Sequence, residues 1–321
     1  MSDRKYITLK PSGDKIPLVG FGTARISPAE TAQVIYDAIK VGNRLIDGAL
    51  CYGNEAEVGK GVKRAIAEGI VKREELFIVG KLWNNFHGKE HVKPIFQKTL
   101  DNYGLDYIDL YLVHFPLAIE YVEPSQPFGF LNSNGELKLA KAPLQETWRE
   151  LESLVDSGVI RNIGISNFNV QSILDLLTYA RIRPSVLEIE HHPYLQQSRL
   201  IHWVRSQGIQ VIAYASFGNA VFEQVPQGTQ HLENLMKNPI IVSIAEKHHR
   251  NSGQILLAWA VQHEVIVIPK TVNIDRMKSN LAIDHIQLDE DDLEKISQLD
   301  ANARFNDFFE NTYGFNLPLF N

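Results

Sequence analysis

Four residues stand at or just beyond the ends of short apolar runs with the side-chain types needed to move a proton onto an oxygen: Asp47, Tyr52, Lys81 and His114. A phenol with an ordinary pKa near 10 is a poor donor at neutral pH, and an adjacent ammonium lowers that value by stabilising the phenolate. Lys81 supplies such an ammonium, and Asp47 would keep it charged and oriented. A neutral His114 can donate a hydrogen bond to a substrate oxygen. Together they suit protonation of an oxygen on which negative charge develops, as in carbonyl reduction. Reduction also requires a hydride, which no side chain supplies, so a nicotinamide cofactor is implied.

These residues need elements to bring them together. Short β-rich segments fall at 18–22, 44–49, 76–81, 107–114, 160–166, 186–191, 210–216 and 265–270, separated by stretches of helical periodicity such as 29–42, 57–69 and 147–158. Several of those stretches close on Gly, as a helix C-cap requires. Eight strand-helix units without a Pro/Gly/Ser-rich linker predict an α/β fold, a (β/α)8 TIM barrel spanning 1–321 as one domain. A small hairpin is expected over 6–18, around a Ser-Gly-Asp turn. The strand ends would deliver Thr23, Asp47, Lys81, His114, Ser166 with Asn167, His191 with His192, Tyr214 with Ser216, and Lys270 with Thr271 to the C-terminal rim, where barrel chemistry sits. Each residue alone reads as a helix cap or a satisfied polar group, but eight strands ending alike favour a site. Long irregular stretches at 123–143 and 217–228 are expected to wall the mouth, with surface decoration as the alternative.

Composition narrows the partners. The chain has 321 residues and a net charge of −6, with no basic stripe for nucleic acid. One cysteine, Cys51, rules out an internal disulfide and fits a reducing compartment. The N-terminus has no signal-peptide pattern and no 18-residue apolar run occurs, so a cytoplasmic protein with no membrane partner is expected. A metal is not expected. His191 and His192 are adjacent, so on a strand their rings point to opposite faces, and no H-E-x-x-H occurs. The segment GISNF lacks the last Gly of a G-x-S-x-G elbow, which disfavours a serine hydrolase. Asp47 with Glu190 could form a carboxylate pair, but neither has the apolar setting that a raised pKa needs. GFGTAR, 20–25, starts as a dinucleotide fingerprint but has Arg25 where the third Gly should stand. IPKTVNIDRMKSN, 268–280, is the better phosphate candidate. Lys270 and Thr271 lead into a helix start with Arg276 further along, and two cations suit the extra phosphate of NADPH.

The stretch G-x-x-x-x-D-x-A-x-x-Y-G-N-E at 42–55, with GISNF, EIEHHPYLQQ, IPKTVNIDRMKSN and the terminal RFND, resembles the aldo-keto reductases, most closely the fungal xylose-reductase-like aldose reductases. The resemblance runs from the hairpin to the tail. It implies a barrel carrying NADPH, with NADH possible, and a tetrad of Asp47, Lys81, His114 and Tyr52 as acid. For the cofactor it implies Ser166 and Asn167 at the carboxamide and Tyr214 stacked on the nicotinamide. Lys270, Thr271, Asn273, Arg276 and Asn280 would hold the adenosine phosphate end, and Thr23, Ser216, Phe217 and Val272 fall in the same contact set. Glu223 would accept the adenosine ribose hydroxyls. Glu188 stands where the family usually has Gln at the carboxamide. A carboxylate can accept there but, while ionised, cannot donate.

The chain also departs from the xylose reductases after G-F-G, with Ala24 then Arg25 in place of a Trp at the second position. A cation there suggests an anionic sugar. The favoured expectation is therefore reduction of D-galacturonate to L-galactonate, with Arg25 and Asn306 near the carboxylate and hydroxyls beside Tyr52 and His114. Arg25 pointing into solvent is the equal alternative. Reduction of D-xylose or L-arabinose to the polyol is the second reading, and a cofactor-sensing subunit with little turnover the remote one. The partner is a small carbohydrate, and the protein a monomer or homodimer.

Overall fold

The alternation of apolar strands and amphipathic helices closes on itself. The computed structural model describes residues 6–125, 129, 131, 134–222, 228–307, 317 and 319–320. Strands β1 (Tyr6–Thr8) and β2 (Lys15–Pro17) pair antiparallel as the expected hairpin. The barrel strands are β3 (Phe21–Gly22), β4 (Leu45–Asp47), β5 (Phe77–Leu82), β6 (Ile108–Val113), β7 (Ile160–Ser166), β8 (Val186–Glu190), β9 (Gln210–Tyr214) and β10 (Ile266–Val267). They lie parallel in chain order, each paired to the next. The ring is completed by a parallel bridge between Val19 and Val267, with Gly20 N donating to Val267 O at 2.8 Å and Val267 N to Leu18 O at 2.9 Å. At this seam Gly22 has no substitute, since a Cβ would lie 2.7 Å from Ile268 O. The expected (β/α)8 barrel is therefore observed, and each of the eight segments read from the sequence contains its strand to within a few residues.

The helices are α1 (Pro28–Val41), α2 (Glu55–Ala67), α3 (Lys89–Tyr103), α4 (Leu144–Asp156), α5 (Val170–Tyr179), α6 (Ser198–Ser206), α7 (Pro239–Lys247), α8 (Ser252–Gln262), α9 (Ile274–Leu281) and α10 (Glu290–Ser297). Two of them, α7 and α8, lie between β9 and β10. None of the described helices is long and apolar enough to cross a membrane. β5 and β6 are buried along their whole length, one face in the barrel and the other under helices, which explains their near-continuous apolar runs. The hairpin covers the N-terminal end of the barrel. Ser12 Oγ donates to Asn162 Oδ1 at 2.7 Å and Asn162 Nδ2 to Asp14 Oδ2 at 2.8 Å, while Leu9 and Ile16 are fully buried. Only the C-terminal rim is left for chemistry.

One helix start carries an unexpected charge. Glu55, the first residue of α2, is buried against α3, accepting from Asn102 Nδ2 at 2.8 Å with its second oxygen unpartnered. Burial lifts its carboxyl from the ordinary 4.5 to about 7, against the pull of Asn102. An acid whose pKa is raised on folding makes the folded state bind the extra proton, so stability falls as pH rises from 4.5 to 7 and the full penalty persists above. Such a gap corresponds to about 3 kcal/mol. Glu55→Gln, which keeps an acceptor for Asn102, should therefore stabilise the protein by about 1–3 kcal/mol at pH 8 and by little at pH 4.5. Urea unfolding at both pH values checks this, and an equal effect at the two would refute it.

Candidate active site

β4 and β5 are neighbours in register, so Asp47 and Lys81, 34 positions apart, reach the rim side by side. Lys81 Nζ donates to Asp47 Oδ1 at 2.6 Å, to Asp47 Oδ2 at 2.7 Å and to Gly48 O at 3.2 Å. Two further oxygens lie near it, Glu188 Oε1 at 3.3 Å and Tyr52 Oη at 3.5 Å. Lys81, Asp47 and Glu188 are all buried. Tyr52 follows β4 on a 3-10 turn, Leu50–Tyr52, and is half-buried. Gly48 must be small here, because a Cβ would strike the Tyr103 hydroxyl. His114, directly after β6, sets its ring 5.9 Å from that of Tyr52 in an edge-on arrangement. The four residues singled out by chemistry are thus brought together.

Their electrostatics differ in part from the expectation. Burial opposes the Lys81 charge, but Asp47 and Glu188 outweigh it and hold the ammonium well above its usual range. Burial, with Lys81 and His87, pushes His114 well below its usual value, so the imidazole is neutral as expected. Tyr52 corrects the sequence reading. Burial and the charges of Asp47 and Glu188 raise its pKa well above 10, although Lys81 pulls it down. The phenol is therefore fully protonated at neutral pH. Lys81 acts on the phenolate as it forms rather than on the resting acidity.

Glu188 bears on the condition attached to the carboxamide contact, its ionisation. Burial and the neighbouring Asp47 hold its carboxyl well above the carboxylate range, against the attraction of Lys81. A neutral carboxyl carries a hydroxyl and can donate, so the loss of donor capacity expected for an ionised Glu does not apply. Its Oε2 is buried and unpartnered.

The remaining candidates fall into groups. Ser166 and Asn167 end β7, with Asn167 held at a φ of 63°, a left-handed conformation that the surroundings must enforce. Asn167 Nδ2 donates to His114 O at 3.0 Å and to Ser166 Oγ at 3.1 Å, and its Oδ1 accepts from Tyr214 Oη at 2.7 Å. Asn306 Nδ2 donates to Tyr214 Oη at 3.0 Å, joining the C-terminal segment to this network. Thr23 Oγ1 donates to Asp47 O at 2.8 Å. Ser216 is buried and Phe217 half-buried after β9. Across the rim, Lys270, Val272, Asn273 and Arg276 are exposed at the start of α9, with Thr271 buried and Asn280 half-buried. Asn273 caps α9 by accepting from Arg276 N, and Arg276 Nε donates to Thr271 Oγ1 at 3.1 Å. Glu223 lies outside the described residues. A nicotinamide dinucleotide fits this inventory: an unpartnered buried carboxyl oxygen beside Lys81 at one end, two exposed cations at a helix start at the other.

Two residues do not sit as expected. His191 faces away from the rim, stacked on Trp259 of α8 with ring centroids 4.8 Å apart, because its side chain takes the outer face of the strand. Arg25, at a φ of 60°, is exposed. It donates to Val221 O at 3.5 Å and lies 5.5 Å from the centre of the Phe222 ring. No described contact joins it to Asn306.

Other site residues escaped the sequence reading. Cys51 Sγ lies 3.6 Å from His114 Nδ1, and Trp83 and Phe115 pack on the His114 ring at 5.1 and 5.3 Å. Trp83 sits two positions beyond Lys81, an alternation that could have flagged it. Glu190 is held as a carboxylate despite burial, chiefly by His192. It accepts from Phe305 N at 2.8 Å and Asn306 N at 2.9 Å, and so fixes these two residues beside the end of β8. That is the opposite of a general acid.

Sequence comparison agrees with this geometry. The model of the aldo/keto reductase family matches residues 18–301. A 4-dihydromethyl-trisporate dehydrogenase of Mucor mucedo is 50% identical over 318 residues, covering 98% of both chains. An NAD(P)H-dependent D-xylose reductase of Aspergillus niger is 49% identical over 312 residues, covering 96% of this chain and 97% of that protein. Among solved structures, the aldose reductase of Schistosoma japonicum superposes with a TM-score of 0.86 at 33% identity, covering 97% of each chain. With a matching barrel, a matching family model and relatives of this identity over nearly its whole length, the chain belongs to the aldo/keto reductase family.

Proposed function

We propose that the protein reduces the aldehyde of an open-chain sugar to the primary alcohol, using NADPH or NADH, with aldopentoses such as D-xylose and L-arabinose preferred over sugar acids. The observation that carries the reaction class is Lys81, buried between Asp47 and the protonated Tyr52, with neutral His114 alongside. A bound nicotinamide supplies the hydride. Tyr52 Oη passes its proton to the carbonyl oxygen, Lys81 stabilises the phenolate left behind, and Asp47 keeps Lys81 charged and aimed. His114 donates a hydrogen bond to the same oxygen. Ser166, Asn167 and Glu188 hold the carboxamide, Tyr214 the ring, and Lys270 with Arg276 the adenosine phosphate, the two cations favouring NADPH.

The preference for a neutral sugar is supported by the D-xylose reductases among the relatives and by the engagement of Arg25 with Val221 and Phe222. D-Galacturonate is the second reading, favoured by the exposure of that same guanidinium. The relative from Mucor mucedo adds the compound of its name, 4-dihydromethyl-trisporate, to the panel, and Trp83 and Phe115 give His114 an aromatic lining. We expect kcat/KM on D-xylose to exceed that on D-galacturonate by about tenfold or more, and Arg25→Ala to leave the ratio unchanged. Preference for galacturonate that Arg25→Ala abolishes establishes the second reading. Tight NADPH binding with no turnover on any aldehyde indicates a sensor.

A further inference from the structure

An ammonium has three N–H donors, and Lys81 has more acceptors than that around it. Asp47 takes one or two with both oxygens near 2.7 Å, and Gly48 O takes another at 3.2 Å. At most one N–H remains, and two oxygens, one from β8 and one from the turn after β4, are placed to receive it: Glu188 Oε1 at 3.3 Å and Tyr52 Oη at 3.5 Å. The charge count is equally unbalanced. Asp47 and Glu188 are two buried carboxyl groups sharing one ammonium, and Glu188 Oε2 has no hydrogen-bond partner. An ionised Glu188 would leave one surplus buried negative charge beside Asp47, whereas a neutral carboxyl removes it.

We propose that Glu188 is a proton-gated positioning residue: neutral, it leaves the third N–H of Lys81 to Tyr52; ionised, it takes that N–H and withdraws the ammonium from the phenol. This rests on the reading of Tyr52 as the acid in carbonyl reduction, and adds to it a pH limit set by a second group. The groups facing Glu188 are Asp47 from β4, Tyr52 from the turn after it, Lys81 from β5 and Tyr214 from β9. Its register neighbour on β7 is Ser166, which does not titrate. Of these, Asp47 and Lys81 are already charged, and both phenols have raised pKa values. A carboxyl is intrinsically a far stronger acid than a phenol, so Glu188 is the group expected to change charge first as pH rises. Its proton leaves to solvent and no bond other than O–H breaks.

The consequence is a pair of opposite shifts. In the wild type, kcat should fall on the alkaline side when Glu188 ionises, before Tyr52 itself does. In Glu188→Gln, isosteric with the neutral acid, that fall should move to higher pH by one unit or more, with KM for the aldehyde changed less than about threefold. The phenolate of Tyr52 should move the other way. Followed by ultraviolet difference absorbance in cofactor-free protein, with Tyr52→Phe subtracted in each background, it should titrate at lower pH in Glu188→Gln, because Gln cannot become the anion that opposes it. A purely structural role would move both in one direction or neither. An alkaline limit unchanged in Glu188→Gln, or a Tyr52 titration that does not move, overturns the proposal. Glu188→Met carries the same two expectations should the amide variant fold poorly. The absorbance titration needs no turnover, so it separates failure of this gate from failure of the aldehyde-reductase reading.

Discussion

Tyr52→Phe should lower turnover by about 10²-fold or more while leaving NADPH affinity within about twofold, the scale of losing a general acid. The phenol stands 3.5 Å from Lys81 and edge-on to His114, and it is half-buried where the Glu188 carboxyl is buried, so its hydroxyl is the proton-bearing group of this cluster that a substrate oxygen can reach. Lys81 is a poor alternative donor because Asp47 holds its charge through both carboxylate oxygens. Asp47 accepts hydrogen bonds only, and His114 is neutral with a strongly depressed pKa. Removing one oxygen leaves the ring packing in place, so the fold should persist. Loss of NADPH absorbance with an aldehyde gives kcat, and quenching of protein fluorescence gives the affinity. Turnover within a fewfold of wild type would end the assignment of Tyr52 as the acid.

Lys81→Met should be the most destabilising single change at the site. The side chain has no exposure, and its loss leaves Asp47 buried without the cation to which both its oxygens bind. Breaking a buried pair from one side costs about 3–5 kcal/mol. The cost has a pH signature. A stranded Asp47 in the folded variant binds a proton that the unfolded chain releases, so the variant's deficit should shrink as pH falls from 8 to 5 and grow as it rises. Denaturant unfolding at the two pH values tests this. Turnover should fall at least as far as in Tyr52→Phe, because the phenolate loses its counter-charge. A variant within about 1 kcal/mol of wild type at pH 8 would show that the ammonium is not holding the carboxylate.

Much of the architecture could be read from local pattern. The eight strand segments, the hairpin over 6–18 and the helix over 29–42 all follow from periodicity and from Gly placement, which act within a few residues. Asp47, Lys81 and His114 were identifiable because each ends an apolar run, and a parallel barrel delivers every such end to one rim. The cationic start of α9 was legible for the same reason, with Lys270, Thr271 and Arg276 close together in the chain.

What remained hidden depends on long-range register and on burial. Glu190 anchors the tail through amides 115 and 116 positions away, a separation that no pattern in the chain encodes. His191 turned outward because the pleat gives alternate residues of a strand to opposite faces, and Glu190 occupies the inner one. Arg25 lies against Val221 and Phe222 because the first and seventh loops meet in space. The resting acidity of Tyr52 was misread, and the charge of Glu188 left open, for a physical reason. A sequence names which ionisable groups exist, whereas their protonation depends on how completely the fold removes water from them and how many neighbours share one ammonium. Residue type and order thus determined the barrel and the chemical set, and the packing of separate strands around Lys81 decided which of those groups hold a proton.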